Sequence, residues 1–150
     1  MKPRSSINQL IQREVWEKSK DNIGILELKN RIDVISKEIR KILKSFHSVP
    51  IYGIGASIST SYLLNYFEIS DRITALYDDD TNKIGKFSPG TGKKVFRISD
   101  LPNDSDCLVV ILAWQHTNKI LARLKEVNYI GKILIPLPFP RFFDYQTKDQ

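Results

Sequence analysis

The stretch Val49-Pro50-Ile51-Tyr52-Gly53-Ile54-Gly55-Ala56-Ser57-Ile58-Ser59-Thr60-Ser61-Tyr62-Leu63-Leu64-Asn65-Tyr66 decides how the rest of the chain is read. A short apolar run closes on Gly53 and Gly55, hydroxyl side chains follow at Ser57, Ser59, Thr60 and Ser61, and Leu63, Leu64 and Phe67 return at helical spacing. This pattern predicts a strand, a tight turn and the start of a helix. Glycines let a backbone approach a ligand closely, and the first N–H groups of a helix point outward, so the turn suits an anion such as phosphate. The dinucleotide fingerprint asks for a third glycine three residues after Gly55, where Ile58 stands with a side chain expected to hold the helix off the strand. The turn therefore reads as phosphate-compatible and not as a standard NAD site. A structural role, with Gly53 and Gly55 turning the chain and Ser57 or Ser59 capping the helix, fits the same residues.

Downstream, Arg72 to Tyr77 reads as a second strand ending in Asp78-Asp79-Asp80, and an acid at this place is where a nucleotide-binding α/β fold puts its ribose contact. Such a tripeptide also makes ordinary turns, and three adjacent carboxylates leave at most one to face a ligand. Residues 81–94 form a long loop whose Lys83, Lys86, Lys93 and Lys94 are placed to reach phosphate; a mobile surface excursion is the alternative. Val95-Phe96 predicts a brief strand and Ile98 to Pro102 a single turn. The apolar run Cys107 to Leu112 reads as a central parallel strand covered on both faces. It leads to Trp114, Gln115 and His116, expected beside the Gly53 to Thr60 loop if the two strands are neighbours. His116 is the one histidine placed for proton transfer, and a helix-start or surface histidine is its plainer reading.

Ile120, Leu121, Leu124 and Val127 predict another helix, Lys132 to Ile135 a last strand, and the proline-rich P-L-P-F-P-R-F-F a segment wrapping over the fold. Upstream, Ile7, Leu10, Ile11, Val15 and Trp16 suggest one helix, broken at Asp21, Asn22 and Gly24, and Leu28 to Phe46 a second of about twenty residues. Strands and helices alternating from Pro50 onward imply an α/β fold, a Rossmann-like open parallel sheet with flanking helices, preceded by two N-terminal helices. The expected divisions are a helical segment over 1–48, the α/β domain over 49–140 and a tail over 141–150.

The 150 residues suffice for one domain with a real core. No segment approaches the roughly 18 apolar residues of a membrane span, and Met1-Lys2-Pro3-Arg4 leads into a polar helix, so the default compartment is the cytoplasm. One cysteine and two histidines cannot assemble a zinc site, and Cys107 within its apolar run reads as a small core residue. The net charge of +6 is concentrated in residues 1–50, where lysines alternate with acids on a solvated helix face and no aromatics are interleaved for base stacking. Nucleic-acid binding is not expected.

Several separate pieces line up with one family: Tyr52-Gly53 with Ala56-Ser57, Leu64 to Phe67, Asp78 before Lys83 to Gly85, Pro89-Gly90-Thr91, Ile111-Leu112-Ala113-Trp114, and Ile135-Pro136-Leu137-Pro138. In this order the chain, over roughly residues 30–140, resembles the C-terminal domain of the sugar C-methyltransferases. In that family a zinc-binding segment and an S-adenosylmethionine domain come first, and the C-terminal domain closes over a nucleotide-sugar. The resemblance implies the substrate-side domain alone. Gly53, Gly55, Ser57, Ser59 and Thr60 would hold a diphosphate, Asp78 and Gln115 would bond sugar or ribose hydroxyls, and Trp114 would line the pocket. Ser57-Ile58-Ser59-Thr60 stands where many members have Lys-Gly-Asn-Thr, so that lysine is absent, and Gln115 replaces a common Asn. No cofactor is expected on this chain; S-adenosylmethionine would sit on a partner catalytic chain. Gly53→Val is expected to abolish ligand binding and leave the fold intact. The alternative is a scaffold or regulatory protein of the same fold that oligomerises through its N-terminal helices.

Overall fold

A computed structural model describes residues 23–145. The helix expected near residues 6–20 lies outside the described residues. The chain divides into two compact units, residues 1–35 and 36–150. Helix α1, Ile23–Lys44, begins earlier than the periodicity predicted and takes in Gly24, because a glycine in the first helical turn has no intrahelical N–H bond to lose.

The larger unit carries strands β1 (Ile51–Ile54), β2 (Ala75–Tyr77), β3 (Val95–Phe96), β4 (Leu108–Ile111), β5 (Lys132–Ile135) and β6 (Arg141–Asp144). Helix α2 (Ile58–Tyr66) follows β1, and α3 (Thr117–Glu126) follows β4. The strands form one six-stranded sheet in the order β3-β2-β1-β4-β5-β6. The first five are parallel, with Gly53 opposite Leu76 on one side and Val110 on the other.

The sixth strand corrects the expectation of a wholly parallel sheet and of a tail from residue 141. Arg141–Asp144 runs antiparallel to β5, pairing Ile133 with Phe143 and Leu134 with Phe142. Pro138 and Pro140 cannot donate to a ladder, so pairing starts only beyond them, where every residue has an N–H. The second strand is shorter than predicted, because Ser70–Arg72 forms a 3-10 turn before it.

Period-2 alternation places Tyr52 and Ile54 of β1 on one face with Ala75, Tyr77, Val109, Ile111, Ile133 and Ile135, under Ile120 and Leu124 of α3. Gly53 faces the other way, toward Ile73, Leu76 and Leu112. Both faces of β1 and β4 are buried, which explains their uninterrupted apolar sequences. Leu64 and Phe67 are fully buried at the inner side and end of α2, each stabilising the fold by about 1.5–3 kcal/mol. Arg40 ties the end of α1 to the end of α2 by donating to Ser36 Oγ and the Phe67 carbonyl at 2.8 and 3.2 Å. Cys107 is buried, and burial pushes its thiol up, away from a nucleophile's range.

Candidate functional site

The strand order reverses between β1 and β4, and the chain leaves both strands at the same edge of the sheet. The two exits are bound together: the Ile54 carbonyl accepts from Leu112 N–H and Ala113 N–H at 2.9 and 3.0 Å. Gly55 passes directly over this junction with φ of +108°, and a Cβ there would stand 2.6 Å from Ala113 Cβ and 2.8 Å from its backbone nitrogen. Only glycine serves, for its conformation and for the close approach. Trp114, the residue after Ala113, is therefore brought beside the glycine loop, half-buried in the 3-10 turn Trp114–His116. Gln115 and His116 follow, exposed, with His116 at the N-cap of α3. Thr117 Oγ1 donates to the Trp114 carbonyl at 2.6 Å and fixes the turn.

Gly53 plays a different part. Its position is inside the core, where a Cβ would meet Leu112 Cδ1 at 2.6 Å and Leu76 Cδ2 at 2.7 Å. The expected clean effect of Gly53→Val on binding is thus corrected, since the added side chain would overpack the sheet face before it reached any ligand.

Ser57 is the N-cap of α2, and its N–H donates to Thr60 Oγ1 at 3.2 Å. Thr60 is completely buried, and its hydroxyl donates in turn to the Gly55 carbonyl at 2.9 Å. Thr60 is the residue that seats the helix on the loop. Ile58 does not hold the helix off the strand as the sequence suggested; it is 70% exposed, because the first turn places it on the outer side. Ser59 is exposed, with its hydroxyl 2.7 Å from that of Ser57. Ile58 and Ser59 occupy the first two helical positions, whose N–H groups have no intrahelical acceptor. Thr60→Val should cost about 1 kcal/mol, read as a shift in the urea midpoint, since it leaves a buried carbonyl and an amide without this hydroxyl.

Asp78 stands at the end of β2. Its Oδ2 accepts from Ala56 N–H at 2.9 Å and from the Lys83 ammonium at 3.0 Å, and its Oδ1 accepts from Asp80 N–H at 3.0 Å. Burial alone would raise its pKa; the backbone bonds from Asp80 and Ala56, with Lys83, outweigh that and hold the carboxyl below its ordinary value. The expected ribose contact is therefore engaged within the chain, clasping the glycine loop to β2. Asp79 pairs with Arg123 of α3 at 2.9 Å, and Asp80 lies 3.6 Å from Lys83. Two cations answer the three carboxylates, Lys83 shared by Asp78 and Asp80 and Arg123 held by Asp79, which offsets their mutual repulsion.

Lys83 places a positive charge beside Ala56 although the loop itself lacks the lysine common in the resembling family. Nothing in local sequence announces this, as Lys83 follows Asp78 by five positions in a turn without periodicity. The segment from Lys83 to Lys94 is an organised excursion and not a loose one. Ser88 N–H donates to the Lys93 carbonyl at 2.8 Å, Val95 N–H to Lys86 at 2.9 Å, and Phe87 bridges Lys94. Ser61 Oγ donates to the Pro89 carbonyl, bringing Pro89-Gly90-Thr91 against the first turns of α2. Among the described residues no cluster of three or more His, Cys, Asp or Glu is placed to hold a metal ion, and no helix is long and apolar enough to cross a membrane.

The segments drawn together here are Tyr52-Gly53, Ala56-Ser57, Asp78, Lys83, Pro89-Gly90-Thr91 and Ala113-Trp114. The sequence profile of the family described as C-methyltransferase C-terminal domain matches residues 1–138. The chain belongs to that family. No curated protein matches it. The match reaches from the N-terminal residues through β5, so the C-methyltransferase C-terminal domain includes the glycine loop, the Asp78 clasp and the tryptophan turn, and leaves β6 outside.

Proposed function

We propose that this C-methyltransferase C-terminal domain is a substrate-binding module that takes a nucleotide-sugar through its diphosphate. The observation that supports it most is the start of α2. The Ile58 and Ser59 amides and the Ser57 and Ser59 hydroxyls are presented at the carboxyl edge of the sheet beside the β1/β4 reversal. Partial positive charge at a helix start favours an anion there, and crevices at such reversals are where open α/β sheets bind ligands. We read the layout as Rossmann-like on the same grounds. Trp114 and Gln115 would meet the sugar or base, and Asp78 acts by positioning the loop and Lys83.

Methyl transfer in this reading is completed by a separate chain carrying S-adenosylmethionine, which supplies an electrophilic methyl group, and the base that deprotonates the sugar carbon. This chain's residues bind and orient the acceptor. A cytoplasmic location fits such a substrate.

Isothermal titration with dTDP- and GDP-sugars tests the reading, and absence of heat up to millimolar ligand would overturn it. Ser59→Asp separates binding from folding. The new carboxylate meets the helix start favourably, raising stability by a few tenths of a kcal/mol. It repels a diphosphate at the same spot and should weaken binding about tenfold or more.

A second reading, a scaffold that has kept the fold without the ligand, draws on the internal answering of the Ala56 and Ser57 amides by Asp78 and Thr60. It predicts no nucleotide-sugar binding together with an oligomer that dissociates when residues 1–47 are removed, as read by sedimentation.

A further inference from the structure

Beside α2, residues 86–91 run between two left-handed glycines. Gly85 has φ of +79° and Gly92 of +63°, and a Cβ at either would meet nothing within 4 Å, so both ends can turn without striking a neighbour. Of the residues between them only Ser88 is buried. Phe87, the large apolar side chain of the segment, is 69% exposed. The one side chain that the segment does bury is therefore polar, and its hydroxyl oxygen has no hydrogen-bond partner. Buried polar groups are nearly always answered, so an orphan of this kind marks a position that costs free energy to hold.

We infer that residues 86–91 form a strap that lifts off α2 and β3 in the folded chain, with Gly85 and Gly92 as its hinges, and so gates the flank of the candidate site. Little holds it down. Ser88 N–H donates to the Lys93 carbonyl at 2.8 Å, Val95 N–H to the Lys86 carbonyl at 2.9 Å, and the Ser61 hydroxyl to the Pro89 carbonyl. Against these bonds stands the Ser88 hydroxyl, which regains water when the strap lifts. Lys86, Lys93 and Lys94 crowd the same short ribbon, with no acid between Thr81 and Ser99 to offset them. A unit with few bonds and almost no buried apolar surface opens at a free energy far below that of global unfolding. The order of the segment is the order of its seated state.

Opening bears on α2 through Ser61. This residue stands one turn after Ser57 on the same side of the helix. Seated, the strap engages its hydroxyl at Pro89 and brings Gly90 so close that a Cβ there would stand 3.3 Å from Ser61 Cβ. Lifted, it releases that hydroxyl beside the helix start. The bearing on a ligand rests on the diphosphate reading, whereas the opening does not, so titration with nucleotide-sugars and the test of the strap fail separately.

Hydrogen exchange of the full chain without ligand, read amide by amide, supplies that test. The Ser88 and Val95 amides should exchange about a hundredfold or more faster than the Leu76 amide, which donates to the Lys94 carbonyl at 3.2 Å on the other side and stays paired when the strap lifts. Ser88→Ala removes the unanswered hydroxyl and should slow exchange at Val95 about tenfold, while Ser61→Ala, which removes the tether, should speed it about fivefold. Ser88 and Val95 amides as protected as that of Leu76 would overturn the inference. So would a Ser88→Ala chain in which Val95 exchanges as fast as before or faster, since the hydroxyl would then be no burden on the seated strap.

Discussion

Gly55→Ala is expected to lower the unfolding free energy by about 3 kcal/mol, measured as a fall in the urea midpoint with little change in m. Two costs combine. A φ of +108° is a conformation that L residues adopt only under strain. The methyl would also lie 2.6 Å from Ala113 Cβ and 2.8 Å from Ala113 N, and the second of these is backbone already bonded to the Ile54 carbonyl. Moving it means separating the β1 and β4 exits. Gly53→Ala is the control, because the nearest atoms there are the flexible ends of Leu112 and Leu76, and the cost should be nearer 1–2 kcal/mol. Equal effects at the two glycines would contradict the junction described here. Where Gly55→Ala stays folded, it should also displace the start of α2 and weaken any ligand held there.

Much of this arrangement was legible because it is local. Pro50 to Phe67 signals strand, turn and helix through adjacent residues, and the runs at Cys107 to Leu112 and Lys132 to Ile135 are apolar enough to read as buried parallel strands. The resemblance built on short pieces from Tyr52 to Pro138 led to the family that the profile match shows. Contacts between distant segments were not legible. The antiparallel β6 follows three prolines within five residues, so its own residues are masked by a context that argues against pairing. The glycine fingerprint points Ile58 toward the strand, whereas the helix phase puts Thr60 there and leaves Ile58 outside. The clasp of Asp78 on Ala56 joins residues 22 apart and leaves no trace in periodicity. Sequence could say that an acid stands at the end of β2, but not that it faces the glycine loop.

That clasp yields the second large effect. Asp78→Asn should destabilise the chain by about 2 kcal/mol near neutral pH, because a carboxylate accepting from two backbone amides and an ammonium is replaced by a neutral group with one acceptor oxygen. Thermal and urea unfolding read this directly. Its pH dependence separates the clasp from general damage. The folded carboxyl lies below the ordinary 3.8 of aspartate, so the unfolded chain binds its proton first as acid is added. The stabilisation is therefore complete above that ordinary value and is lost as the pH falls through the lower, folded one. Wild type should lose stability over this acid range while Asp78→Asn, which has no proton to take up at this position, loses less, and the gap between them should narrow. A gap that stayed constant into strong acid would mean that shape and not charge holds Ala56 in place. Lys83→Met tests the same junction from the other side: it removes the ammonium but keeps both backbone bonds to Asp78, so it should cost less than Asp78→Asn and leave the Ala56 contact intact.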